Sequence, residues 1–410
     1  MGIGRCEREQ RKPGRLGQGG HSRDGAVAVD TLRLTLPPSR LGTGAGDVIE
    51  LAGAAGGGRF RIDRVEQMGN TQRVDAVRIE PESYRPILMA DDPARLRPFE
   101  PSGPVTPLFL DLPLLTGQEA PHAPHVAVLA DPWPGTAAIY ASDEDADYRL
   151  NTLIATRSTV GETLTPLSPA CAGRIDRGEG LFVRMRHGTL ESVSDAAFLN
   201  GANLCAIGDG TPGAWELIQF RDAELVAPDT YILGHRLRGQ LGTEAAGAET
   251  WPEGSILVRL DGVPQQIDLA DAQRGQARHY RIGPGGRSVD DPVFGHAVLA
   301  FDGLGLRPYA PVHLRLTETG GDMSVTWIRR TRIGGDRWDT PEVPLAEENE
   351  RYLLRVLRGS VVLREVMTDA PAWIYPAALR AADGPDAGKR IEVAQISAGF
   401  GSGVFAGRDL

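Results

Sequence analysis

Short runs in which apolar and polar side chains alternate, each closed by glycine, asparagine or proline, recur along this chain and constrain it to antiparallel β-structure. In FRID, Phe60 and Ile62 share one face while Arg61 and Asp63 share the other, the period of a half-buried strand. TLRLTL, DVIEL, GRFRIDRVEQ and RVDAVRIE follow one another at short spacing. LFVRMRHGTL repeats the pattern: Leu181, Val183 and Met185 alternate with Arg184 and Arg186, and His187-Gly188 breaks the run, so a hairpin is expected. Helical signals are few. SDAAFLNG reads as one short helix with Ser194 as N-cap and Asn200-Gly201 as stop, and DLADAQRG as another. With 51 glycines, 30 prolines and 6% aromatic residues, the chain suits turn-rich sheets better than a helical bundle.

The expected fold is therefore mainly β, with several antiparallel sheets. Residues 1–24 carry six Arg or Lys against three Asp or Glu and almost no apolar side chains, which fits a disordered basic arm or a start-site artefact. Residues 25–85 hold four strands that make an incomplete β domain. Residues 86–104, rich in proline and charge, read as a linker. A β-rich middle region follows over 105–303. In 304–410, HLRLTET, SVTWIRR, RYLLRVLRG, SVVLREVMT, AWIYPAAL and RIEVAQIS are strand-like, and Arg358-Gly359-Ser360 suits a hairpin loop. Their regular spacing predicts a β-sandwich.

Several function classes are disfavoured by composition. A net charge of −10 argues against a nucleic-acid-coating surface, which needs clustered positive charge. No apolar run approaches the roughly 18 residues of a membrane span. Lysine occurs only at Lys12, before Pro13, and Lys389, before Arg390, so neither a P-loop nor a Schiff-base lysine is supported. Cys6, Cys171 and Cys205 have no CxxC spacing, and the apolar setting of Cys205 suits a small buried hydrophobe. The polar N-terminus lacks an apolar central run, so synthesis in the cytoplasm is expected.

Each candidate site also has a plainer role. Asp143, Asp145 and Asp147 alternate like calcium-loop ligands but lack the glycine and bidentate glutamate of such a loop, so a solvated acidic loop is expected. His122 and His125 stand three apart, but Pro121 and Pro124 disfavour a helix and no third ligand is near. GDGTPG and GFGSG read as hairpin loops. Trp133, Trp251, Trp338 and Trp373 flank polar or turn residues; they read as plugs at sandwich ends, with sugar stacking as the alternative. The richest stretch is ELIQFRDAELVAPDTYILGHRLRGQLGTE. Its alternation makes two strands joined at Pro228-Asp229, with His235 on the packed face and Arg236 and Arg238 on the solvated one. No catalytic, cofactor-binding or metal-binding residue is assigned.

The end of that stretch, RGQLGT, followed by the glycine-led strand EGSILVRLDG, resembles tail-tip proteins of long-tailed bacteriophages. It is most similar to the large baseplate protein of gene transfer agents, the phage-like particles of alphaproteobacteria, known as the host-specificity or megatron family. Arg238, Gly239, Gly242 and Thr243 carry this motif. TLRLTLPPSRLGTGAGDVIEL, GRFRIDRVEQ, LNGANLCAIGD and GAWELIQFRDAELVAPDTYILGHRLRG support it in family order, over about residues 30–300. Residues 307–407 resemble a fibronectin type III domain through Trp327, Tyr352 and RIEVAQISAGFGSG, although the usual penultimate-strand tyrosine is replaced near Ile391.

Family members are much longer, and the histidine often found after the Gly-Thr run gives way to Thr250 and Trp251. The chain thus looks like a C-terminal portion, its first sheet tail-hub-like. The resemblance implies a non-enzymatic virion component without cofactors. Its implied partners are other tail and baseplate proteins, further copies of itself, and a cell-surface glycan or envelope receptor; nucleic acid and a membrane span are not implied. A carbohydrate-binding or polysaccharide-depolymerising β-sandwich protein is the alternative.

Overall fold

The computed structural model describes residues 7–10, 30–52, 57–79, 103–335 and 342–410. Most of the basic arm, nearly all of the linker, and Trp338 lie outside the described residues. The chain divides into two compact units, Met1–Phe99 and Glu100–Leu410.

The first unit is one antiparallel sheet. Strands β1 (Glu7–Gln10), β2 (Asp30–Leu36), β3 (Val48–Leu51), β4 (Gly58–Met68) and β5 (Thr71–Ile79) run in the order β1-β2-β5-β4-β3. The four expected strands are all present, and β1 adds a fifth from within the arm. Alternation puts Leu32, Phe60, Ile62, Val74 and Ala76 on one buried face. The opposite side carries charge pairs such as Arg33 Nε to Asp75 at 2.7 Å.

The second unit opens with β6 (Thr106–Leu110), β7 (His125–Leu129), β8 (Ala137–Ser142) and β9 (Arg149–Ile154). Next come β10 (Val160–Thr163), β11 (Ile175–Asp176), β12 (Leu181–His187), helix α1 (Asp195–Leu199), β13 (Leu204–Gly208), β14 (Trp215–Ala227), β15 (Thr230–Leu237) and β16 (Ile256–Arg259). The order β15-β12-β10-β16-β13-β14 closes because β14 also pairs with β15, making a six-stranded barrel with β11 added on β15. Leu181, Val183, Met185, Cys205, Ile207, Ile218, Phe220, Tyr231, Leu233 and Leu257 fill its interior. Inside it, burial pushes the Cys205 thiol up to about 12, so this cysteine is an inert core residue.

Strands β17 (Gln265–Gln266), β18 (Arg278–Pro284) and β19 (Gly295–Leu299) complete two further sheets, β17-β7-β6 and β19-β18-β8-β9. The β6–β7 pair is covered on both sides. Phe109, Val126 and Val128 pack with Ile139, Tyr280 and Phe301. The alternate residues Leu108, Leu110 and Ala127 pack against the barrel wall at Ala206, Trp215, Leu217 and Val258.

The remainder is a two-sheet sandwich. Strands β20 (Val312–Thr319), β21 (Asp322–Ile328) and β24 (Ala372–Tyr375) form one sheet. The other has β23 (Val361–Thr368), β22 (Tyr352–Arg358) and β25 (Lys389–Ser397) in that order, with β26 (Gly401–Ser402) and β27 (Ala406–Asp409) both on β25. Between the sheets, Trp327 meets Tyr352 edge-on, ring centres 5.1 Å apart, among Val325, Leu354, Val356, Tyr375, Ile391 and Val393.

Three local expectations are corrected. LFVRMRHGTL makes a single strand, β12, paired with β10 and β15, because the chain leaves at Gly188 for the loop before α1 instead of turning back. AWIYPAAL is strand only to Tyr375; Pro376 caps a short helix, α2 (Ala377–Ala382), where its missing N–H costs nothing. DLADAQRG forms only one 3-10 turn, Asp271–Gln273. The helix at SDAAFLNG is as expected, with the Ser194 side chain accepting from the Ala197 N–H at 3.2 Å. The β22–β23 hairpin turns at Gly359-Ser360 as expected.

Candidate functional site at the end of the barrel

β14 and β15 form the long hairpin anticipated from the sequence, turning at Pro228-Asp229. The faces of β15 differ from expectation. Tyr231 and Leu233 point into the barrel, but His235 takes a left-handed conformation, φ 47°, and the inward phase passes to Arg236 and Arg238. These arginines are 2% and 1% exposed, so they belong to the packed side. His235 is half-buried, its Nδ1 against the Asp222 carboxylate beside Arg221. The alternation rule fails here because one left-handed residue resets the period.

Arg238 faces Glu216, which is 0% exposed on the inward side of β14. Arg238 Nε and Nη2 each donate to a different oxygen of Glu216 at 2.7 Å. The Gly239 N–H donates to Oε1 at 2.9 Å and the Trp251 indole N–H to Oε2 at 2.8 Å. Arg238 Nη1 donates to the Ser168 carbonyl at 2.6 Å. A neighbouring pair, Arg236 to Asp176 at 2.8 Å, ties β11 to the same end. There the Asp176 carboxyl is held below its usual range: burial opposes the charge, but the Gly178 N–H and the Arg236 guanidinium outweigh it.

The rest of the motif turns the chain out of the barrel. Gly239 and Gly242 are left-handed, φ 58° and 82°, and a Cβ on Gly242 would overlap the Tyr309 ring. The Thr243 hydroxyl accepts from the Leu217 N–H at 2.9 Å and donates to the Gln240 carbonyl at 2.7 Å. Arg238, Gly239, Gly242 and Thr243 therefore form one buried clasp. Both oxygens of Glu216 are occupied by four donors, which leaves no free lone pair for proton transfer or metal binding. The partner missed from sequence was Glu216. Its position in an alternating strand signals only which way it points, not what it meets.

The other candidates disperse. His122 Nε2 bonds the Leu269 carbonyl at 2.8 Å, whereas His125 sits in β7, so they do not converge on an ion. Trp133, Trp251 and Trp373 are half-buried and packed on three different cores, in keeping with plugs. Asp143 pairs with Arg278 at 2.8 Å, and Asp145 with Arg281 at 3.3 Å, on an exposed loop. GDGTPG joins β13 to β14, and GFGSG joins β25 to β26.

His125 carries a pH prediction. It is 8% exposed, and burial, opposed in part by Glu119, holds its imidazole below the ordinary 6.5. The unfolded chain then binds the proton more readily, so stability is fully present above about pH 6.5 and declines as pH falls below it. Denaturant midpoints measured across that range should drop on the acid side, and His125→Leu should flatten that slope.

Over residues 22–65, which take in β2, β3 and most of β4, the sequence matches a family model described as "Putative phage tail protein". The chain is phage tail-related over that segment. Residues 158–258 match a second model, "Rcc01698-like, C-terminal". That span runs from just before β10 almost to the end of β16, so it takes in every strand of the closed barrel and all the clasp residues on β14, β15 and the exit. Comparison with curated proteins gives no match. The described parts of both matched segments are mainly β-sheet, and no helix among the described residues is long and apolar enough to cross a membrane.

Proposed function

We propose that the chain is a structural, non-enzymatic part of the tip or baseplate of a phage-like tail of the gene transfer agent kind. It assembles with other tail proteins and copies of itself and contacts the recipient envelope. The observation that carries this reading is the coincidence of the second matched span with a barrel whose buried carboxylate is saturated by its own donors. The saturation of that carboxylate supports a structural role for the barrel over a chemical one. In this reading the C-terminal sandwich is a fibronectin type III-like module displayed outward, and its two antiparallel sheets packed as a sandwich support that module. Repeated around a tail, weak surface contacts would gain avidity.

The test is to fractionate lysates of producing cells on a density gradient and label particles with antibody to this chain. Co-sedimentation with particles and label at the tail end is expected. Absence from particles, or label spread along the tube, overturns the proposal.

A further inference from the structure

We propose that Asp145, His279 and His296 form a binding site for a divalent transition-metal ion of the zinc class, on the outer face of the sheet β19-β18-β8-β9. The strand register creates it. Arg281 lies opposite His296 and His279 opposite Val298, so the two histidines take diagonal positions on one face of the β18–β19 pair. Tyr280 and Ile282 point the other way, into the core. His279 Nδ1 and His296 Nε2 are 3.1 Å apart, with the rings stacked at 5.3 Å and 16°. Two imidazole nitrogens on one tetrahedral zinc, each about 2.0–2.1 Å from it, stand roughly 3.3 Å from each other. The observed spacing already suits a shared ion.

The third ligand comes from the β8–β9 loop. Asp145 Oδ1 lies 3.9 Å from His296 Nε2, and the three ligand atoms fall within 4.8 Å of one another. Asp145 is oriented as ligating carboxylates commonly are, by hydrogen bonds from a second layer of groups. Tyr148 donates to Oδ1 at 2.6 Å and Arg281 Nη2 at 3.3 Å, which holds the oxygen that faces His296 in place. Arg281 is the nearby opposing charge; its guanidinium lies over the Tyr148 ring, 5.0 Å from the centroid.

Two imidazoles with one carboxylate favour zinc, cobalt or nickel over calcium or magnesium, which prefer all-oxygen shells. The remaining coordination positions face solvent. The site uses one member of the acidic loop, but its selectivity comes from the histidines. A bound ion would pin the β8–β9 loop to β18 and β19.

The experiment uses the full, tag-free chain, with Zn²⁺ followed by calorimetry and Co²⁺ by its visible absorption. One equivalent should bind, with a Co²⁺ spectrum showing imidazole ligation. His279→Ala and His296→Ala should each abolish that spectrum, and Asp145→Asn should weaken binding by about tenfold or more. His187→Ala, remote in sequence from the site, should leave binding unchanged, and circular dichroism should show every variant folded. Persistence of the Co²⁺ spectrum in the His279→Ala/His296→Ala double variant overturns the site. So does the absence of stoichiometric binding in the parent chain, or binding of Ca²⁺ as tight as that of Zn²⁺.

Discussion

Glu216→Ala is expected to destabilise the second unit by about 3–5 kcal/mol, because it strands a buried guanidinium. Arg238 is 1% exposed and would keep only its bond to the Ser168 carbonyl. The Gly239 N–H and the Trp251 indole N–H would lose their acceptor in the same step. Glu216→Gln keeps the shape and part of the hydrogen bonding, so its cost should be smaller. Replacing both partners with apolar groups, as in Glu216→Leu with Arg238→Met, should recover much of the loss, since a buried pair returns little beyond its own desolvation. Denaturant unfolding of the four chains measures this directly. A Glu216→Ala penalty under about 1 kcal/mol, the range of an exposed pair, would show that the clasp does not hold the barrel end.

Gly242→Ala should cost about 3 kcal/mol, from two separable sources. One is the left-handed backbone, φ 82°, and the other is the collision of a new Cβ with the Tyr309 ring. Gly254→Ala provides the comparison: φ is 85° there, but a Cβ would meet open space. It should carry the backbone part alone, about 1–2 kcal/mol. Equal effects at the two positions would mean that the Tyr309 contact gives way easily. Shifts in the unfolding midpoint distinguish the cases.

Much of the β-structure was legible because half-buried strands write their geometry into alternation. Phe60 and Ile62, or Leu181, Val183 and Met185, can be assigned a face with no knowledge of their neighbours. The rule weakens where a strand is buried on both sides, as in HVAVL of β7, which has no polar face to mark its phase. It failed at His235, where a left-handed residue follows Gly234 and turns two arginines inward. Residue type alone argued the opposite, because arginine is rarely buried unless paired, and its partner lay 22 positions away. The His279–His296 neighbourhood was illegible for a related reason. Their separation of 17 residues matches no ligand spacing, and only the pairing of β18 with β19 brings them together.

The sheet β17-β7-β6 has a consequence for how this chain can be divided. Its β6–β7 pair is a party wall, with the barrel on one side and the β19-β18-β8-β9 sheet on the other. Neither neighbour can be excised as a free-standing module without laying bare the apolar face it shares. Recombination between related chains would therefore have to move both rooms together.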